Sequence, residues 1–222
     1  MHSTNSRNIL AYLKLSGLSA AILAASPTLS AIEVADTGNS KVNATFEAIL
    51  GAFHSDKSYD LFGNVDDEAA TWQEGYAKYG FELAPESFEE GRFYGKINFI
   101  TTFTEGDGDP SGFTRGDETL TNLEDGYLGY RRDGVMIGAT AWNLDVSSGR
   151  QVIQLGDGFI VASDALSFGS GIGEDFDRGG AYYLAGRRAF DNTFLAKAFN
   201  DTWQAQAGWL QSDNRAQAET EL

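Results

Sequence analysis

The first chemistry to weigh in this chain is metal binding. Asp107, Asp109, Ser111, Gly112 and Glu118 reproduce the spacing of a calcium loop, with oxygen donors at the first, third, fifth and twelfth positions and glycine at the sixth. Pro110 is unusual at its place, Thr114 stands where an aliphatic residue is normal, and the flanks read as strands instead of helices. The plain alternative is an acidic hairpin loop. Catalysis has less to work with, because the chain has no cysteine and only two histidines, His2 and His54. Thiol catalysis, disulfides and Cys-ligated metals are thereby removed. A Ser-His-carboxylate site on His54 has no local motif behind it, so a histidine at the rim of a strand is the simpler reading. Carboxylates are plentiful, 32 Asp and Glu against 16 Lys and Arg, which makes a glycosidase pair uninformative. Gly169, Gly171 and Gly173 are not followed by the lysine of a phosphate loop. The expectation is a protein that is not an enzyme and uses no cofactor, and whose net charge of −16 disfavours nucleic acid.

What remains is the chemistry of a surface, and the elements behind it are strands. Phe93, Gly95, Ile97, Phe99, Thr101 and Phe103 alternate with Arg92, Tyr94, Lys96 and Asn98. Val42, Ala44, Phe46, Ala48, Leu50 and Ala52 oppose Asn43, Thr45 and Glu47, with Ile49 and Phe53 as exceptions. Ala77, Tyr79, Phe81 and Leu83 oppose Lys78 and Glu82, and Trp203, Ala205, Ala207 and Trp209 oppose Gln204, Gln206 and Gly208. Period-two alternation is the mark of a sheet with one apolar and one polar face. The runs are about the ~9 to 11 residues a tilted strand needs to cross hydrocarbon, and aromatics close the apolar faces as they do at membrane interfaces.

This pattern predicts strands over Lys41 to Phe53, Thr71 to Leu83, Gly91 to Thr104, Leu120 to Arg131, Gly134 to Trp142, Leu144 to Ile153, Gly180 to Ala189, Thr193 to Phe199 and Trp203 to Gln211. Short connections, Asp133-Gly134 and Asp191-Asn192 among them, alternate with long ones rich in Gly, Asp and Glu, the habit of an outer-membrane barrel. The acids gather in these long segments, at Asp56 to Asp67, Glu105 to Glu118 and Glu174 to Asp177. Such loops are either simply solvated or bind the divalent cations that bridge lipopolysaccharide. The fold class predicted is all-β, an antiparallel up-and-down transmembrane β-barrel, with 32–222 as one barrel domain and no second domain or linker.

The amino terminus supplies a compartment. Arg7 and Lys14 precede the apolar run Leu15 to Ala25, and Leu29-Ser30-Ala31 offers a cleavage site. Residues 1–31 therefore read as a secretory signal peptide, the apolar run being too short to span a bilayer. No later segment is an unbroken apolar run, so entry into a membrane would have to be by paired strands. That points to a bacterial outer membrane, with its lipid and lipopolysaccharide as partners. The polar stretch from Asn214 to Leu222 lacks the aromatic ending common in such barrels, so the chain is expected to be an amino-terminal portion of a longer one.

Arg92, Lys96 and Arg131 lie on strand faces opposite the apolar set, so they are expected to point into a lumen, since a charge facing lipid costs ~2 to 4 kcal/mol. There they either pass anions along by weak contacts or pair with Glu47, Glu82, Glu124 and Asp125 to brace the wall.

Leu123-Glu124-Asp125-Gly126-Tyr127-Leu128-Gly129-Tyr130-Arg131, Ser148-Gly149-Arg150-Gln151 with Gly156-Asp157-Gly158-Phe159-Ile160, and Gly179-Gly180-Ala181-Tyr182-Tyr183-Leu184-Ala185-Gly186-Arg187-Arg188-Ala189-Phe190-Asp191-Asn192 together resemble the alginate-export family of outer-membrane barrels. The resemblance spans most residues between 42 and 211. It implies a monomeric, porin-like barrel that passes anionic polysaccharide or small anionic solutes through a cation-lined lumen, and it adds Arg150 and Arg187 to the lumen set. Family members are longer, which agrees with an amino-terminal portion. Two alternatives stand beside it: a general porin of weak selectivity, and a secreted carbohydrate-binding β-sandwich.

Overall fold

A computed structural model describes residues 31–59 and 64–214. The chain forms twelve strands: β1 Ile32–Asp36, β2 Ser40–Ser55, β3 Ser58–Tyr59, β4 Val65–Asp66, β5 Ala70–Pro85, β6 Arg92–Gly106, β7 Asp117–Ile137, β8 Thr140–Gln151, β9 Gln154–Leu155, β10 Val161–Ala162, β11 Phe190–Phe199 and β12 Gln204–Gln211. Two short 3-10 turns, Ser170–Ile172 and Glu174–Phe176, are the helical content of the described residues. The predicted signal peptide falls almost wholly outside the described residues.

Eight strands make one antiparallel sheet in the order β1-β2-β5-β6-β7-β8-β11-β12, and the four short strands form two separate hairpins. Each long strand therefore pairs with its neighbour in the chain, the up-and-down order predicted. Among the described residues no pairing joins β1 to β12, so the sheet has two edges and no closed barrel is seen. Among the described residues this sheet has no second one of comparable size to stack on, as a sandwich requires. All the long connections, 56–69, 107–116 and 152–189, leave from one rim. All the short ones, 37–39, 86–91, 138–139 and 200–203, turn at the other.

The register confirms the two faces residue by residue. Phe46 lies opposite Tyr79, Tyr79 opposite Phe99, and Phe99 opposite Leu123, and all four point to the same side. That side is bare. Phe93 is 57% exposed, Ile97 50% and Phe99 43%, with Phe46, Leu50, Phe81, Leu128 and Phe194 alike. Leaving eight such side chains half in water would forgo on the order of 10 kcal/mol of burial, comparable to the whole stability of an ordinary soluble domain.

Three local predictions are corrected. The Asp133-Gly134 turn is a bulge: β7 runs on through it and reverses at Gly138-Ala139, with Ile137 opposite Thr140. Gly134 does adopt a positive φ of 69°, but Arg131 holds the Asp133 carboxylate at 2.7 Å and the strand resumes beyond it. Asp191-Asn192 is likewise an irregularity inside β11. Gly and Asn mark bulges as readily as turns. The predicted strand Gly180 to Ala189 does not exist, because Gly179, Gly180, Ala181 and Ala185 all have positive φ and break the extended chain. This segment folds inward instead.

Candidate functional site: the inner face and its inward loop

Segment 164–188 is a loop whose neck is clipped by the Asp164 amide donating to the Arg188 carbonyl, 2.8 Å. It lies on the polar face of the sheet at the long-loop rim. Irregular backbone inside a wall brings amide donors that need acceptors, and the wall supplies carboxylates. Glu74 on β5 accepts from the Tyr183 amide at 2.9 Å and from the Trp72 indole at 3.2 Å. Glu118 on β7 accepts from the Ser170 amide and hydroxyl at 2.7 and 2.9 Å. Glu124 accepts from the Arg188 and Ala189 amides at 2.6 and 3.0 Å. Thr104 on β6 takes the Ala181 amide at 2.9 Å. A side chain at Gly179 or Gly180 would collide with Thr102 or Thr104, so the paired glycines let the loop backbone lie directly on β6.

Apolar contacts reinforce these anchors. Tyr183 packs on Phe53 and Trp72 with ring centroids 5.6 Å away from each, and Leu184 joins them. Phe113, Phe168 and Tyr182 form an adjoining ring cluster. Ile49 and Phe53, the apolar exceptions on an otherwise polar face, belong to this half, and Trp72 and Ile100 are 2% and 1% exposed there.

A bulge places the acids. Asn98 faces Asp125 while Phe99 faces Leu123, so Glu124 is the extra residue and both carboxylates reach the inner side. Glu124 is fully buried and Asp125 nearly so.

At the neck of the loop three guanidinium groups converge on Asp213, just after β12. Arg150 approaches it at 2.5 Å, Arg187 at 2.6 Å and Arg178 at 3.3 Å. Arg150 also meets Asp191 at 2.9 Å, and Arg187 lies 3.6 Å from Glu124. Asp164, fully buried, accepts from the Asp213 amide at 2.6 Å and the Ser212 hydroxyl at 2.7 Å. Burial pushes the Asp213 carboxyl up, but the Arg150 hydrogen bond and the charges of Arg187, Arg150 and Arg178 prevail and hold it below the ordinary carboxylate range. Burial pulls the Arg187 guanidinium down from its usual value.

The predicted lumen cations thus divide. Arg150 and Arg187 are in the buried clamp, where carboxylates surround them, and do not line a watery path. Arg92, Lys96 and Arg131 do lie on the polar face beyond the loop, half-buried and paired: Arg92 with Glu90 at 2.7 Å, Lys96 with Asp125 at 3.9 Å, Arg131 with Asp133 at 2.7 Å. Asp145 lies opposite Arg131 and Lys197, Glu47 opposite Lys78, and Glu82 opposite Lys96. Lys96, near Asp125 and across from Glu82, fits the bracing reading, whereas Arg92 and Arg131 pair with acids two residues away in the chain and not with the four acids named for it. Arg178, Asp164, Asp213 and Glu74 had no motif to betray them; Ile49 and Phe53 on the wet face were the available hint that something packs inside.

The calcium-type set is not brought together. Asp107 accepts from the Thr71 amide, Asp109 from the Ser111 and Thr114 amides, and Glu118 turns to Arg115 and Ser170. Among the described residues no group of three His, Cys, Asp or Glu side chains is placed to hold a metal ion. His54 sits at the rim with its ring nitrogens at 2.8 Å from Thr71 and 3.2 Å from Asp56, and no serine nucleophile adjoins it among those contacts. Among the described residues no helix is long and apolar enough to cross a membrane. A scan against family models, a search of curated proteins and a search of solved structures each returned no match.

Proposed function

We propose that this chain forms wall of an outer-membrane channel through which small hydrophilic solutes diffuse passively, with weak charge selectivity. The observation that carries the reading is the division of one sheet into an exposed apolar face and a charged, loop-capped face. Hydrocarbon makes the first favourable, and water or protein suits the second. β2, β5, β6, β7, β8 and β11 have 10 to 21 residues each, enough for tilted spanning strands.

Weak selectivity follows from charge pairing. A cation matched by a nearby acid presents a small local field, so neither sign of solute gains a continuous row of partners. The export of anionic polysaccharide, which the family resemblance implies, is the second reading. It is favoured by Arg92 and Arg131 lying directly opposite one another near the short-turn rim.

Membrane fractionation with planar-bilayer recording tests both. A small reversal potential in a salt gradient supports the weakly selective channel, and a strong anion preference supports the polysaccharide reading. A protein soluble without detergent and silent in bilayers defeats both.

A further inference from the structure

Three arginines, Arg150 from β8 and Arg178 and Arg187 from the inward loop, are 8%, 4% and 6% exposed and share Asp213 as their common acceptor. The Nε atoms of all three have no hydrogen-bond partner in the protein. Buried cations of this kind are tolerated only while their countercharge stays in place. Asp164 and Glu124 lie farther off, at 3.8 Å from Arg178 and 3.6 Å from Arg187. The remaining charged neighbour is Asp191, half-exposed and bound to Arg150.

We infer that segment 164–188 is a constriction that can be released, and that Asp213 is its latch. The carboxylate ties the loop to the end of the wall through side chains alone, whereas the anchors on Glu74, Glu118 and Glu124 engage the loop's own backbone. Removing this carboxylate takes away the one countercharge the three buried cations share and leaves each with a single, separate acid, Asp191, Asp164 or Glu124, so their mutual repulsion favours the entry of water. Opening at the neck frees the cap from the inner face at the long-loop rim. The constriction rests on the channel reading; the latch does not.

The test compares the full chain in detergent micelles and in planar bilayers as wild type, Asp213→Ala, Asp213→Asn and Asp213→Glu. Trypsin reads the latch, since Arg178 and Arg187 are buried cleavage sites when the loop is closed. Asp213→Ala is expected to speed cleavage after these two residues roughly tenfold or more, the ratio set by the population of the open form. Asp213→Asn, which keeps the shape without the charge, is expected to do nearly the same, and Asp213→Glu to stay near wild type. Acetate added to Asp213→Ala refills the arginine pocket and slows the cleavage again. Conductance is expected to rise in the same order. Equal cleavage of Asp213→Ala and wild type overturns the latch, as does an Asp213→Asn variant that is fully protected. If Asp213→Ala does not assemble, Asp213→Asn with and without Asp213→Glu as its control decides. Silence of the wild type in bilayers defeats the channel reading while the trypsin pattern still judges the latch.

Discussion

The inner face of the sheet has two halves built on opposite rules. At the long-loop rim carboxylates are buried, and each holds backbone amides or guanidinium groups of the inward loop. Toward the short-turn rim the cations are partly exposed: Arg92 and Arg131 pair with acids two residues away in the chain, and Lys96 reaches across a strand to Asp125. The same residue types thus do different work according to what water can reach. A buried carboxylate is an anchor whose loss strands its donors, whereas a solvated pair is screened and adjusts.

The sharpest attempt to break this contrast is Glu124→Ala. It leaves the Arg188 and Ala189 amides without their acceptor and strips the Arg187 guanidinium of its more distant countercharge, Asp213 remaining, at an expected cost of about 3 to 5 kcal/mol. Urea unfolding in micelles measures it, and a loss below about 1 kcal/mol would put Glu124 in the solvated class. Next in size is Phe99→Arg on the outer face, expected to impair assembly by about 2 to 4 kcal/mol if that face meets lipid. Folding yield into vesicles against that of Lys96→Glu reads the difference, and equal yields would erase the distinction between the faces.

Acid sharpens the contrast more gently. The Asp213 carboxyl sits below its ordinary value in the folded chain, so its contribution is fully present above the unfolded value of about 3.9 and is lost as pH falls through the folded one. Wild type is expected to keep its loop protected at pH 5 and to lose protection below about pH 4, a limb absent from Asp213→Asn. Smallest of all, Arg92→Gln is expected to change stability by no more than about 1 kcal/mol, since its partner Glu90 is largely exposed. If the chain forms the proposed channel, the effect of this substitution is a reversal potential shifted toward cations.

Alternation made the wall legible in the sequence, because a period of two reports which side of a strand a residue takes wherever that side has one solvent. Phe93, Ile97 and Phe99 were placed that way, as were Arg92 and Lys96. Bulges were not legible: Glu124 shifts the register of β7 by one residue, and nothing in Leu123-Glu124-Asp125-Gly126 separates an extra residue from a regular one. The loop was misread for a related reason. Ala181, Tyr182, Tyr183 and Leu184 have the apolar and aromatic make-up of a wall strand, yet beyond the positive φ of Gly179 and Gly180 the chain sets Tyr183 and Leu184 on Phe53 and Trp72. Asp213 lies beyond the last strand, and its partners are 26 to 63 positions away, a separation that local patterns do not encode.

If the sheet is the membrane wall proposed above, the asymmetry of its two rims also bears on how it enters the bilayer. Threading a sheet through a bilayer drags one set of connections across the oily layer, and charged side chains and unpaired backbone groups resist that passage most. The rim of 37–39, 86–91, 138–139 and 200–203 is the lighter cargo, while the other carries the acidic stretches and the whole folded cap. In the proposed barrel the tight bends would stay on the side of entry and the heavy rim, cap included, would be the one to cross, so the acidic stretches would set the barrier to insertion.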